Sequence, residues 1–189
     1  MNRGLNRARE LGTVRSHKLR RFESYPPHHQ KDKDMKISTS YFYQVRHFKP
    51  WMIPVSTAVG NPKWYEHKYN LSKEYVDNNG IVNGITCRML TPAGVEGACN
   101  PYICQRDQSK CTFIQNYKAK LDAQDFEQIY NFLQKTAARI QAERGFTEEP
   151  HIVLLVHEKP DNPCSERLPL QQYFQEHGIE CKELEYPIK

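Results

Sequence analysis

The run HIVLLVH at 151–157 limits this chain more than any other feature. It is nearly continuous in apolar side chains, several of them β-branched, and too short for a typical helix. A run of this kind suits a strand covered on both faces, as in a parallel sheet. The residues downstream support that reading. Glu158–Ser165 is a polar loop, and a helix is expected from about Glu166 to His177 with Gly178 as its stop. Pro169 is compatible with it because it falls in or near the first turn. Glu180–Tyr186 reads as a closing strand, so the segment is a right-handed βαβ unit.

Upstream, Lys36–Phe42 alternates and is rich in β-formers, which predicts a first strand. Met52–Val59 predicts a second, with Pro54 confining it to an edge or to a start near Val55. Residues 60–80 show no clear period, and Ile81–Leu90 reads as a short strand. Residues 91–111 are irregular and carry three cysteines. A long helix is expected next, with Asp122 as N-cap and Leu121 and Phe126 as a hydrophobic staple. Phe126, Ile129, Tyr130, Leu133, Ala137 and Ile140 form its apolar stripe, which reads as core, and Gly145 ends it. The expected fold class is α/β: one small domain with a mostly parallel sheet flanked by helices, plus an irregular cysteine-containing loop.

Of 189 residues, 38% are hydrophobic, enough for one ordinary core. No apolar run approaches a membrane span, and the first 30 residues lack a secretory signal. A cytoplasmic protein with reduced thiols at 87, 99, 104, 111, 164 and 181 is the expectation. The net charge of +5 resides entirely in residues 1–34, which hold nine Lys or Arg against four acids. Residues 35–189 are balanced, which argues against nucleic-acid binding by that part.

In an open α/β sheet, ligands gather at the carboxyl ends of strands, where helix N-termini point. The loop from Glu158 to Arg167 lies at such a place. Cys164 would feel the positive end of the helix dipole, which favours its thiolate, as nucleophile or polar contact. Arg167 would clamp a phosphate or carboxylate, with Ser165 beside it, and Glu158 would act as base or acceptor. The bland alternative is a small buried cysteine and an ordinary surface arginine. His157 and Glu158 should not face one pocket, because side chains alternate along a strand. Lys63, Trp64 and Tyr65 offer a stacking surface for a planar ligand, or else pack a loop onto the core.

A second candidate is Cys99-x4-Cys104-x6-Cys111. Thiolates at these positions would hold a structural zinc or an iron–sulfur cluster if a fourth ligand converged, with Cys87, Cys164 or a histidine available.

Two ends of the chain carry a family resemblance. Thr39-Ser40-Tyr41-Phe42 with Arg46, then Ile53-Pro54-Val55-Ser56, then Pro62-Lys63-Trp64-Tyr65 form one; Val153–Glu158 and Cys164–Arg167 form the other. From Met35 onward the chain thereby resembles the domain of unknown function 488 (DUF488) family, over about half of residues 35–189. The family pattern has a Cys-His-Arg turn opening its last helix. Here the turn reads Cys164-Ser165-Glu166-Arg167, with no histidine and the arginine displaced by one. The resemblance implies a fold and a site rather than a reaction. It favours a ligand role for Cys164 and Arg167, with Arg46 binding charge and Tyr41 and Trp64 lining the pocket. The expected partner is a small anionic or nucleotide-like ligand. The alternative is a non-catalytic interaction module held by a Cys-ligated metal.

Residues 1–34 show no periodicity and read as a disordered basic extension. A transit peptide is a weaker reading, given four acids and no amphipathic helix. The string Arg21-Phe22-Glu23-Ser24 back-translates to the T-arm sequence of a transfer-RNA gene, which points to an upstream gene read through in frame, with translation starting at Met35. On that reading, a transfer-RNA cloverleaf is expected in the nucleotide sequence ahead of the Met35 codon. Failure to draw one would remove it.

Overall fold

The computed structural model describes residues 35–66, 84–97, 100, 102 and 105–186. At its centre is the apolar run, as strand β3 (His151–Val156), with every residue buried. It pairs in parallel with β1 (Lys36–Tyr41) on one side and with β2 (Met52–Ser56) on the other. A short strand β4 (Cys181–Glu183) pairs in parallel with the outer side of β1, giving the order β2-β3-β1-β4. Alternate residues of β3 enter different cores. Ile152, Leu154 and Val156 pack among helical side chains, whereas Val153 and Leu155 pack against Phe42, Phe48 and Tyr65.

Pro54 is tolerated within β2 because β2 is an edge strand. Tyr65, wholly buried in the short helix α1 (Lys63–Glu66), stitches that edge: its hydroxyl lies 3.0 Å from the Pro54 carbonyl oxygen and 2.7 Å from that of Ile85. The strand expected over Ile81–Leu90 does not form among the described residues, which begin there at Gly84. A single bridge pairs Thr86 with Ser56, and Arg88–Leu90 is a 3-10 turn. The closing strand is also shorter than expected. Leu184 N–H still reaches the Thr39 carbonyl at 2.8 Å before pairing ends.

The helical region corrects one expectation. Thr112–Asp122 is a helix, α2, and Asp122 is its last residue rather than the cap of the next helix. The cap of α3 (Phe126–Arg144) is Asp125, whose carboxylate accepts the Gln128 N–H at 3.2 Å. Both aspartates precede Phe126 closely enough to look like caps. The extended backbone at Asp125 decides between them. α2 was hard to see because only Ile114, Tyr117 and Leu121 face inward along it. The stripe of α3 is core as expected: Ile129, Leu133, Ala137 and Ile140 are buried, with Phe126 and Tyr130 partly so. Gly145 ends the helix at φ 70, a left-handed conformation that costs glycine nothing.

Helix α4 (Arg167–Glu176) carries the chain from β3 across β1 to β4. Its Gln171 Nε2 donates to Thr39 Oγ1 at 2.7 Å. No helix among the described residues is long and apolar enough to cross a membrane. The reassigned cap is testable by urea unfolding. Asp125→Ala is expected to cost about 1 kcal/mol, while Asp122→Ala loses only an exposed ion pair with Lys118, about 0.3–0.5 kcal/mol. The reverse order would restore Asp122 as the cap.

Candidate functional site

Strand β3 ends at Val156, and the side chains beyond it diverge. His157 turns toward Phe42, with ring centroids 4.9 Å apart, and its Nε2 lies 2.6 Å from the Gly60 carbonyl oxygen. Glu158 faces the other way, toward the start of α4, where Ser165 Oγ lies 3.4 Å from its Oε2. The alternation expected for an extended strand thus separates the two.

Arg167 organises the loop. It is 4% exposed, and its guanidinium donates to the Glu158 carbonyl at 2.6 Å, the Lys159 carbonyl at 3.2 Å and Ser165 Oγ at 3.4 Å. Its Nε sits 2.6 Å from Glu183 Oε2 on β4. The N–H of Nε points off that line, so the contact is an ion pair without a hydrogen bond. The same Glu183 oxygen accepts from Thr39 Oγ1 at 2.7 Å, and its Oε1 is buried without a hydrogen-bond partner. Burial raises the Glu183 pKa, opposed by the Thr39 bond and by Arg167. Nearby, Ser40 Oγ and the Tyr186 hydroxyl are 2.5 Å apart on the far face of β1. Burial also pushes Glu166 up to about 8, with the charge of Glu158 adding to the effect. A carboxyl whose pKa is raised toward neutrality can hold and pass a proton near neutral pH.

The structure therefore joins Glu158, Ser165 and Arg167, and adds Glu183 and Gln171, which sequence reasoning missed, and Thr39 and Glu166, which it held only as motif residues without a site role. Glu183 and Gln171 were visible only as polar residues inside an expected strand and helix. Their meeting depends on the strand order and on the register Thr39↔Glu183.

The other candidates lie elsewhere. Cys164 is 6% exposed and belongs to a small buried cluster with Cys111 and Ile114, while its N–H bonds Asn162 Oδ1 at 3.1 Å. Tyr41, at the end of β1, accepts from Gln44 Nε2 at 2.7 Å and stacks on Tyr43. The Arg46 guanidinium carbon lies 3.2 Å from the Tyr43 ring centre. Trp64 packs edge-on against Phe42 and Tyr65, which makes it a cover for the second core. Lys63 opens α1 beside it.

Cys99 and Cys104 lie outside the described residues, and Cys111 is buried at the start of α2. Cys87 sits in the main core, where burial pushes its thiol up to about 11. Among the described residues, no three or more His, Cys, Asp or Glu are grouped to hold a metal ion.

In comparisons with protein-family models, curated proteins and solved structures, no match was found, so the DUF488 resemblance stands on the sequence motifs alone.

The carboxyl pair has a pH signature. Folding raises the pKa of Glu166 from 4.5 to about 8. Its stabilising contribution is fully present below pH 4.5 and is lost as the pH rises through 8, because the unfolded chain releases the proton first. Glu166→Gln is therefore expected to match the parent in urea midpoint at pH 4 and to exceed it at pH 8.5. Parallel profiles at both pH values would contradict the raised pKa.

Proposed function

We propose that residues 35–189 form a DUF488-like domain that binds a small polar, nucleotide-like ligand where β1, β3 and β4 end, and exchanges a proton with it. The observation that carries this reading is the loop from Glu158 to Arg167, where Glu158 lies 3.4 Å from Ser165 Oγ, the Arg167 guanidinium ties the loop to β4, and burial raises the pKa of Glu166 to about 8. Glu158 is the base, Glu166 the acid and Ser165 a neutral contact for the ligand. Arg167 is a positioning residue in this reading rather than a clamp for the ligand's charge. Its guanidinium is already matched by Glu183 and by two loop carbonyls, so a bound anion would have to displace a protein partner. Cys164 takes no chemical step here, since it packs with Cys111 and Ile114. Tyr41 and Arg46, at the end of β1 and in the turn after it, supply an aromatic and cationic rim.

A thermal-shift screen of the full chain against nucleotides, phosphates and carboxylates tests this, with Glu158→Gln alongside and Glu127→Gln as a remote control. The expected result is a stabilising ligand whose effect is lost in Glu158→Gln and kept in Glu127→Gln. A ligand response unaffected by Glu158→Gln would overturn the site, and no response to any class would overturn the reading.

A metal-stapled interaction module is the second reading, favoured by one observation. Cys111 and Cys164 share a buried cluster although 53 residues separate them in the chain. With Cys99 and Cys104 as further ligands, zinc or an iron–sulfur group would tie α2 to the loop before α4. Elemental analysis decides: stoichiometric metal with unfolding by chelator supports the module, and a folded metal-free preparation excludes it.

A further inference from the structure

The opposite end of the sheet carries a site that the strand-end reading does not use. Among the described residues, the three long helices pack on one face, and the other face is covered near the carboxyl ends by Phe42, Tyr65 and Tyr186 and is open near the amino ends. There a cavity of about 720 Å³ lies over the starts of the strands, a size suited to a small organic molecule.

Its floor is polar. Ser38 Oγ and His151 Nε2 are 2.8 Å apart, and the two residues are 6% and 2% exposed. Burial, helped by the charge of Lys36, pushes the imidazole pKa down to about 4, so the ring is neutral at physiological pH. Among the described residues, its only side-chain hydrogen bond is the one to Ser38, through Nε2. If Nε2–H donates to Ser38, Nδ1 is an acceptor waiting for a donor. Trp51 and Leu184 supply an apolar wall.

The rim selects charge. Glu148, Glu149, Glu180 and Glu185 face two cations, Lys36 and Lys182, and Lys182 is already paired with Glu180. Glu183, which also borders the cavity, is matched by Arg167. The excess is negative, which repels a phosphate or carboxylate and attracts a cation. An indole wall beside it adds a surface suited to an ammonium or an aromatic body.

We propose that this cavity binds a small organic cation, an ammonium or guanidinium on a compact apolar body, whose N–H groups donate to His151 Nδ1 and to the rim carboxylates. It is independent of the strand-end site, and either can fail alone.

The test is calorimetric titration of the full chain with tryptamine, beside indole-3-acetate as an anion on the same ring system. Tryptamine is expected to bind saturably, and indole-3-acetate at least tenfold more weakly, since each 1.4 kcal/mol is tenfold. The double variant Glu148→Gln/Glu149→Gln removes two exposed rim charges without touching the core. It should weaken tryptamine about fivefold at low salt, with the loss shrinking as salt is added. Ser38→Ala should weaken it as well, by releasing the ring from its orientation. No binding of tryptamine, equal binding of the anion, or indifference to both variants would each overturn the proposal.

Discussion

Strand β3 has partners along both edges and side chains buried on both faces, and the rest of the fold is arranged to satisfy it. Five consecutive aliphatic residues, Ile152 to Val156, are fully shielded from water. Each such burial is worth about 2 kcal/mol, but only if covering layers exist above and below. On one face α2, α3 and α4 supply Tyr117, Leu121, Leu133, Leu170 and Phe174. On the other, no long helix among the described residues contributes. The 3-10 turn Phe42–His47, Trp64 with Tyr65, and the chain after β4 share the task. Among the described residues these short covers shield the carboxyl half of that face, and a cavity lies over the amino half.

Legibility in the sequence depended on whether one short segment carried the information. The apolar run, the stripe of α3, Gly145 and Gly178 were legible because periodicity and turn chemistry are local. Pro54 was legible as an edge marker for the same reason. α2 was not, since its three inward side chains are diluted by Lys, Gln and Asn, and Asp122 mimics the start of the next helix. The strand expected over Ile81–Leu90 is reduced to the bridge at Thr86 among the described residues, and local β-formers could not reveal that.

The candidate site shows the same division. Glu158, Ser165 and Arg167 lie within one loop and one turn of helix, so sequence spacing brought them together correctly. Glu183 and Thr39 come from different strands. Their contact with Arg167 requires knowing that β4 lies beside β1, which no local pattern states. Burial has the same non-local origin. Arg167 reads as a ligand clamp or a surface charge until Glu183 and the loop carbonyls enclose it, and whether Cys164 is a reactive thiol or a small buried residue is undecided until Cys111 and Ile114 pack against it.

Strand β1 explains how β4 finds its place. Three successive residues, Ser38, Thr39 and Ser40, are buried in an interior strand, where an unsatisfied hydroxyl costs about 1–3 kcal/mol. Each has a distant partner: Ser38 bonds His151, Thr39 bonds Glu183 and Gln171, and Ser40 bonds Tyr186. β4 itself reads Cys-Lys-Glu and buries only Cys181, too little to select a position through apolar contact. The polar pairs supply that selection, because sliding β4 by one residue would take the Glu183 carboxylate from the Thr39 hydroxyl and the Arg167 charge together. The polar groups that meet at Thr39 and Glu183 therefore hold the last strand in register, while the Ser38–His151 pair ties β1 to β3.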